Sequence, residues 1–207
     1  MALVKYNNNS ISAVTSASSI PSGALTHIKT LTASSSGTLS FVHGSNGVVL
    51  DSTYPIYKFE FINIHPATNM ARLQFNMSVD TGSNYNVTKT STTFYASHRE
   101  DDSASFLAYN TDYDLAQSTA FQALTTAIGN SNDASTSGEL TIFSPSSTTF
   151  VKHFIAKCNS QFSNTYTWND FTAGYGNTTS AVDAIQFSMS SGNIDSGKIK
   201  LYGIKDS

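Results

Sequence analysis

Short runs in which every second residue is apolar recur along this chain, and a period of two marks a strand with one face on a core. Tyr57, Phe59 and Phe61 alternate with Lys58 and Glu60, and Pro55 and Pro66 bracket the run. Leu73, Phe75, Met77 and Val79 alternate next and lead into Asp80-Thr-Gly-Ser-Asn84. That stretch predicts a hairpin turn with a partner strand between Tyr85 and Tyr95, where Val87, Thr88, Thr90, Thr92 and Thr93 favour extended backbone. Further strands are expected over residues 138–143, 149–156 and 169–175, and two modest ones around Leu25, Ile28, Leu31, Leu39 and Phe41. Near the end, Ile185, Phe187 and Met189 form one alternating run. Ile199 and Leu201 form another, with Lys198 and Lys200 facing the opposite way. Ser191-Gly192-Asn193 and Asp195-Ser196-Gly197 lie between them, and the pair reads as a closing β-hairpin.

The rhythm changes once. From Asp112 to Ile128 the apolar positions Phe121, Leu124 and Ile128 fall three and four apart, and Gly129 follows as a stop signal, which predicts one short helix. The pattern as a whole predicts an all-β, single-domain antiparallel β-sandwich, jelly-roll-like, of about eight to ten strands. Residues 1–24, rich in Ser, Thr, Ala and Asn, are read as an extended N-terminal arm, and residues 25–207 as the sandwich domain.

Composition narrows the function more than the fold. Charged residues make up only 12% of the chain against the usual quarter, and the formal net charge is −3 with no run of Lys and Arg. Nucleic-acid binding, which needs a basic stripe to displace counterions, is not expected. Membrane insertion is not expected either, since no apolar window approaches the roughly 20 residues a spanning helix needs. The start of the chain carries no basic patch followed by an apolar stretch, so synthesis in a cytoplasm is expected. Cys158 is the sole cysteine and reads as a small buried thiol.

Candidate chemistry is sparse. His27, His43, His65, His98 and His153 are scattered without metal-ligand spacing. Asp80 to Asn84 lacks the distal glutamate of a calcium loop. Glu100, Asp101 and Asp102 are adjacent, whereas glycosidase carboxylates face each other across a cleft. No nucleophile elbow and no phosphate loop occurs, so no catalytic residue, metal or cofactor is expected. Tyr166 and Trp168, placed by this reading between strands, are the candidate aromatics for an interface or for stacking on a sugar ring.

Three segments carry a resemblance: Met1-Ala-Leu-Val-Lys-Tyr-Asn-Asn-Asn-Ser-Ile-Ser-Ala-Val-Thr15, Lys58-Phe-Glu-Phe-Ile-Asn-Ile-His-Pro-Ala67, and the stretch from Gly176-Asn-Thr-Thr-Ser180 to Leu201-Tyr-Gly-Ile204. Together they resemble small virion structural proteins of marine tailed bacteriophages, nearly end to end. The resemblance implies a non-enzymatic structural protein displayed on the particle surface, as a capsid decoration, head fibre or tail component. Its implied partners are other virion proteins and further copies of itself, and its implied location is the virion, after synthesis in the bacterial host cytoplasm. Within the arm, Leu3, Val4, Ile11 and Val14 are the candidate docking anchors. The alternative expectation is a carbohydrate-binding adhesin module recognising a host surface glycan through Tyr166 and Trp168.

Overall fold

The computed structural model describes residues 24–162 and 165–206. The candidate anchors Leu3, Val4, Ile11 and Val14 lie outside the described residues. Twelve strands follow in chain order: β1 (Leu25–Ser36), β2 (Thr38–Val42), β3 (Ile56–Pro66), β4 (Leu73–Ser78), β5 (Lys89–Arg99), β6 (Ser105–Tyr109), β7 (Gln122–Ala123), β8 (Thr136–Phe143), β9 (Lys152–Phe162), β10 (Tyr166–Gly176), β11 (Ala184–Met189) and β12 (Ile194–Ile204). They form two antiparallel sheets packed as a sandwich, one of eight strands ordered β1-β12-β3-β8-β9-β10-β5-β6 and one of four ordered β2-β11-β4-β7.

The alternating runs supply the core. Phe59 and Phe61 of β3 point inward to meet Phe75 of β4, Phe41 of β2 and Phe187 of β11, all buried. Phe187 lies at the centre, with ring centroids 5.2 Å from Phe59, 5.3 Å from Phe61 and 6.2 Å from Phe41. Edge-to-face contacts of this kind add a fraction of a kcal/mol to about 1.5 kcal/mol each beyond burial. Cys158 is free and fully buried, as expected of it, and burial pushes its thiol pKa up.

Two expected hairpins are instead crossings between the sheets. β11 pairs with β2 and β4 in the smaller sheet, whereas β12 pairs with β1 and β3 in the larger. Likewise β4 belongs to the smaller sheet and β5 to the larger, with residues 79–88 running between them. Alternation reports which face of a strand is buried but not which strand lies beside it. Ile185 and Phe187 reach the interior from one sheet, Ile199 and Leu201 from the other, and the pattern is the same as for a hairpin.

The expected short helix over 112–128 is absent, and no helix occurs among the described residues. The segment is mostly irregular: β7 within it pairs with β4 of the smaller sheet, while Leu115 and Thr126 bond to Ser91 and Asp170 of the larger. Leu124 N–H bonds to Leu73 C=O, Ile128 N–H to Ala71 C=O and Gly129 N–H to Gln161 C=O, so its backbone is satisfied by neighbouring strands. The Arg72 guanidinium stacks 4.8 Å from the Tyr113 ring centroid and pins its start. The physical reason is visible beneath it. β5 and β10 present Ser91, Thr93, Asp170 and Thr172 inward, all buried, and an α-helix with a closed backbone ladder would leave part of them without partners. Ser118, Thr119, Thr125 and Thr126 also favour local hydrogen bonding over helix.

Candidate functional site

The larger sheet has twice as many strands as the smaller, and among the described residues no strand packs on its outer face. That face divides by chemistry. On β12, β3, β8 and β9 it is charged: Glu60 stands opposite Glu139, Lys200 opposite Glu60 and Lys157 opposite Glu139. Lys58 bridges the two carboxylates at 2.8 Å to Glu139 and 3.4 Å to Glu60, and the Glu139 contact holds its ammonium above the ordinary lysine range. These pairs are part-exposed and contribute little stability each. They neutralise the like charges that register brings together.

From β9 to β6 the same face turns apolar. In β9, Phe154, Ala156 and Cys158 point inward, which places Ile155 outward, 55% exposed. In β10 the outward set includes Phe171, Ala173 and Tyr175, and in β5 it includes Thr90, Thr92 and Phe94. Register sets Phe94 between Phe171 and Tyr109, and the Phe94 and Phe171 rings stack in parallel at 4.8 Å. Phe94, Leu107 and Tyr109 are 44%, 77% and 52% exposed. A water-facing sheet surface is ordinarily polar, so a contiguous apolar strip of this kind departs from the usual pattern.

Ala173 carries only a methyl group, and a trough opens over it. One part, of about 480 Å³, is lined by Thr90, Thr92, His153, Ile155 and Tyr175. The adjoining part, of about 310 Å³, is lined by Phe94, Phe171, Glu139 and Lys157. The trough thus has aromatic walls at both ends and threonine hydroxyls along one side.

Tyr166 and Trp168 lie within β10 and not between strands. Both face inward at the end of the sheet remote from the phenylalanine core. Trp168 packs 4.7 Å from Tyr95 and 5.1 Å from Phe162, while the Arg99 guanidinium lies 5.7 Å from the Tyr166 centroid. The structure therefore brings the two candidates together, but their ring contacts are made with one another and with their own sheet. Trp168 Nε1 is buried without a hydrogen-bond partner among the described residues. His98, Arg99, Asp101 and Asp102 pair within the turn after β5, His98 to Asp102 at 3.0 Å and Arg99 to Asp101 at 3.5 Å.

Three buried charged side chains escaped the sequence reading. Asp170, 1% exposed, accepts from Thr126 N–H at 2.9 Å and from the Thr126 hydroxyl at 2.6 Å, and burial raises its pKa to about 6. Lys89 donates to Asn76 Oδ1 at 2.6 Å and Val87 C=O at 2.7 Å, and burial lowers its pKa to about 7. Lys152 donates to Phe150 C=O at 2.6 Å, Ser147 C=O at 2.7 Å and Thr178 C=O at 3.2 Å. The two lysines flank Gly176 in register, one on each neighbouring strand. Strand period carried the signal, since Lys152 falls in step with Phe154 and Ala156. Among the described residues no group of three or more His, Cys, Asp or Glu is placed to hold a metal ion. No family model, no curated protein and no solved structure matches the chain.

Proposed function

We propose that this chain is a non-enzymatic structural protein of a tailed-phage particle, displayed on its surface and attached to neighbouring virion proteins through the aromatic outer face of its larger sheet. The observation that carries this reading is the exposed strip of Ile155, Phe171, Phe94, Leu107 and Tyr109, formed by outward positions of four adjacent strands. Burying such a strip against a partner returns roughly 25 cal/mol per Å² of apolar surface, which makes attachment favourable without charge. The resemblance of the three quoted segments to virion proteins names the kind of partner. The test is a double variant, Phe94→Glu with Leu107→Glu, added back to particles lacking the protein. Loss of attachment with an unchanged melting temperature is the expected result. Undiminished attachment of the folded double variant overturns the reading.

The trough over Ala173 favours a second reading, a glycan-binding adhesin, because aromatic walls and hydroxyls suit a sugar ring. On this reading Tyr175→Ala abolishes binding on a glycan array, whereas Trp168→Ala lowers stability.

A further inference from the structure

The larger sheet ends in two unlike edges. β1 has a register shift between His27 and Lys29 and carries a lysine at that point, devices that discourage pairing with another chain. β6 has neither. Ser105-Phe-Leu-Ala-Tyr109 contains no charge, proline or glycine, and its pairing with β5 is unbroken from His98 opposite Ser105 to Phe94 opposite Tyr109.

Two backbone bonds fix which groups of β6 are used. Asn110 N–H donates to Thr93 C=O at 2.8 Å, and Arg99 N–H donates to Ala104 C=O at 2.9 Å. Alternate residues of an antiparallel strand direct their backbone groups to opposite sides. Residues 104, 106, 108 and 110 therefore face β5, and Ser105, Leu107 and Tyr109 direct their N–H and C=O groups away from it. Among the described residues no strand pairs with that side. Leu107 and Tyr109 flank the edge on the outer face and Phe106, 55% exposed, on the inner.

The ends of this edge are acidic. Glu100, Asp101 and Asp102 precede it and Asp112 and Asp114 follow it, five carboxylates with Arg99 as the one guanidinium between residues 99 and 114. We propose that β6 is a strand-addition site for an extended polypeptide partner with an alternating apolar centre and lysine or arginine at its ends. Backbone pairing supplies the affinity, and the carboxylates select the flanks. A second copy fits the edge poorly. Antiparallel self-pairing centred on Leu107 would bring Asp102 of one copy towards Asp112 of the other, a like-charge penalty against self-association. This site is the backbone edge of the sheet; it adjoins the attachment face proposed above and shares with it only the side chains of Leu107 and Tyr109.

The test uses the full chain and a fluorescent peptide, Thr-Val-Thr-Val-Thr with paired lysines at both ends, followed by anisotropy. Saturable binding is expected, about tenfold or more weaker for the same peptide with glutamates at its ends, and weaker again as salt screens the flanks. N-methylation of each central residue of the peptide is expected to abolish binding, since it removes the ladder donors. Leu107→Pro deletes an outward N–H while sparing the bonds to β5, and is expected to weaken binding by about tenfold or more. If that variant loses its fold, the N-methylated peptide decides alone. Absence of binding, equal binding of both flanks, or undiminished binding of the N-methylated peptide overturns the proposal. Self-association of the chain that strengthens with salt also overturns it and assigns the edge to a second copy.

Discussion

Asp170 and Lys89 give the molecule a pH dependence that arises from burial. Asp170 rises from its ordinary 3.8 to about 6, so between those values the folded chain binds more protons than the unfolded one and stability falls as pH rises. Lys89 drops from 10.5 to about 7, so the folded chain binds fewer protons in that window and stability climbs with pH. The two effects place a shallow minimum near neutrality. Asp170→Asn keeps an acceptor for Thr126 and removes the first effect, so the loss of stability between about pH 4 and pH 7 should shrink by roughly 2–3 kcal/mol. Urea denaturation across that range measures it, and an unchanged slope would place the titration elsewhere.

At the level of elements, β12 is bent by a bulge opposite β3, where the register shifts between Ser196 and Lys198. Gly197 sits there with φ of +117°, and a Cβ at this position would meet the Asn63 carbonyl oxygen at 2.6 Å. Gly197→Ala is therefore expected to cost roughly 2–3 kcal/mol, read as a lower urea midpoint with an unchanged slope. The strands themselves were mostly legible, because Phe59, Phe75, Phe154, Phe187 and Leu201 each sit in an alternating run. Their neighbours were not, since Phe187 and Leu201 keep the same period whether their strands share a sheet or face each other across the core. β6 went unread because Ser105, Phe106, Leu107 and Tyr109 are all exposed, leaving no polar and apolar faces to contrast. The spacing of Phe121, Leu124 and Ile128 mimicked a helix because the needs of Asp170 and Ser91, which bond to Thr126 and Leu115, leave no trace in the segment's own sequence. The proposed attachment face was hidden for a related reason. Phe171 and Phe94 lie in runs whose alternate positions are the buried polar residues Asp170, Thr172 and Thr93, so the usual rule of apolar inside and polar outside is inverted there.

Across the whole molecule, the sandwich holds together in two ways. One half packs phenylalanines between two sheets, and the other closes the wider sheet with an irregular segment tied by hydrogen bonds. Lys89 joins these regimes, because it sits on β5 of the larger sheet and its amine is held by Asn76 on β4 of the smaller. Acetylation with an amine-reactive reagent under native conditions should modify the exposed Lys198 and Lys205 at once and the buried Lys89 and Lys152 only slowly, as peptide mass spectrometry would resolve. Lys89 reacting as fast as Lys205 would mean that the described burial does not persist in solution. The sealed amine of Lys89 thereby acts as a chemical clock: the delay before it is marked times how often the two sheets part.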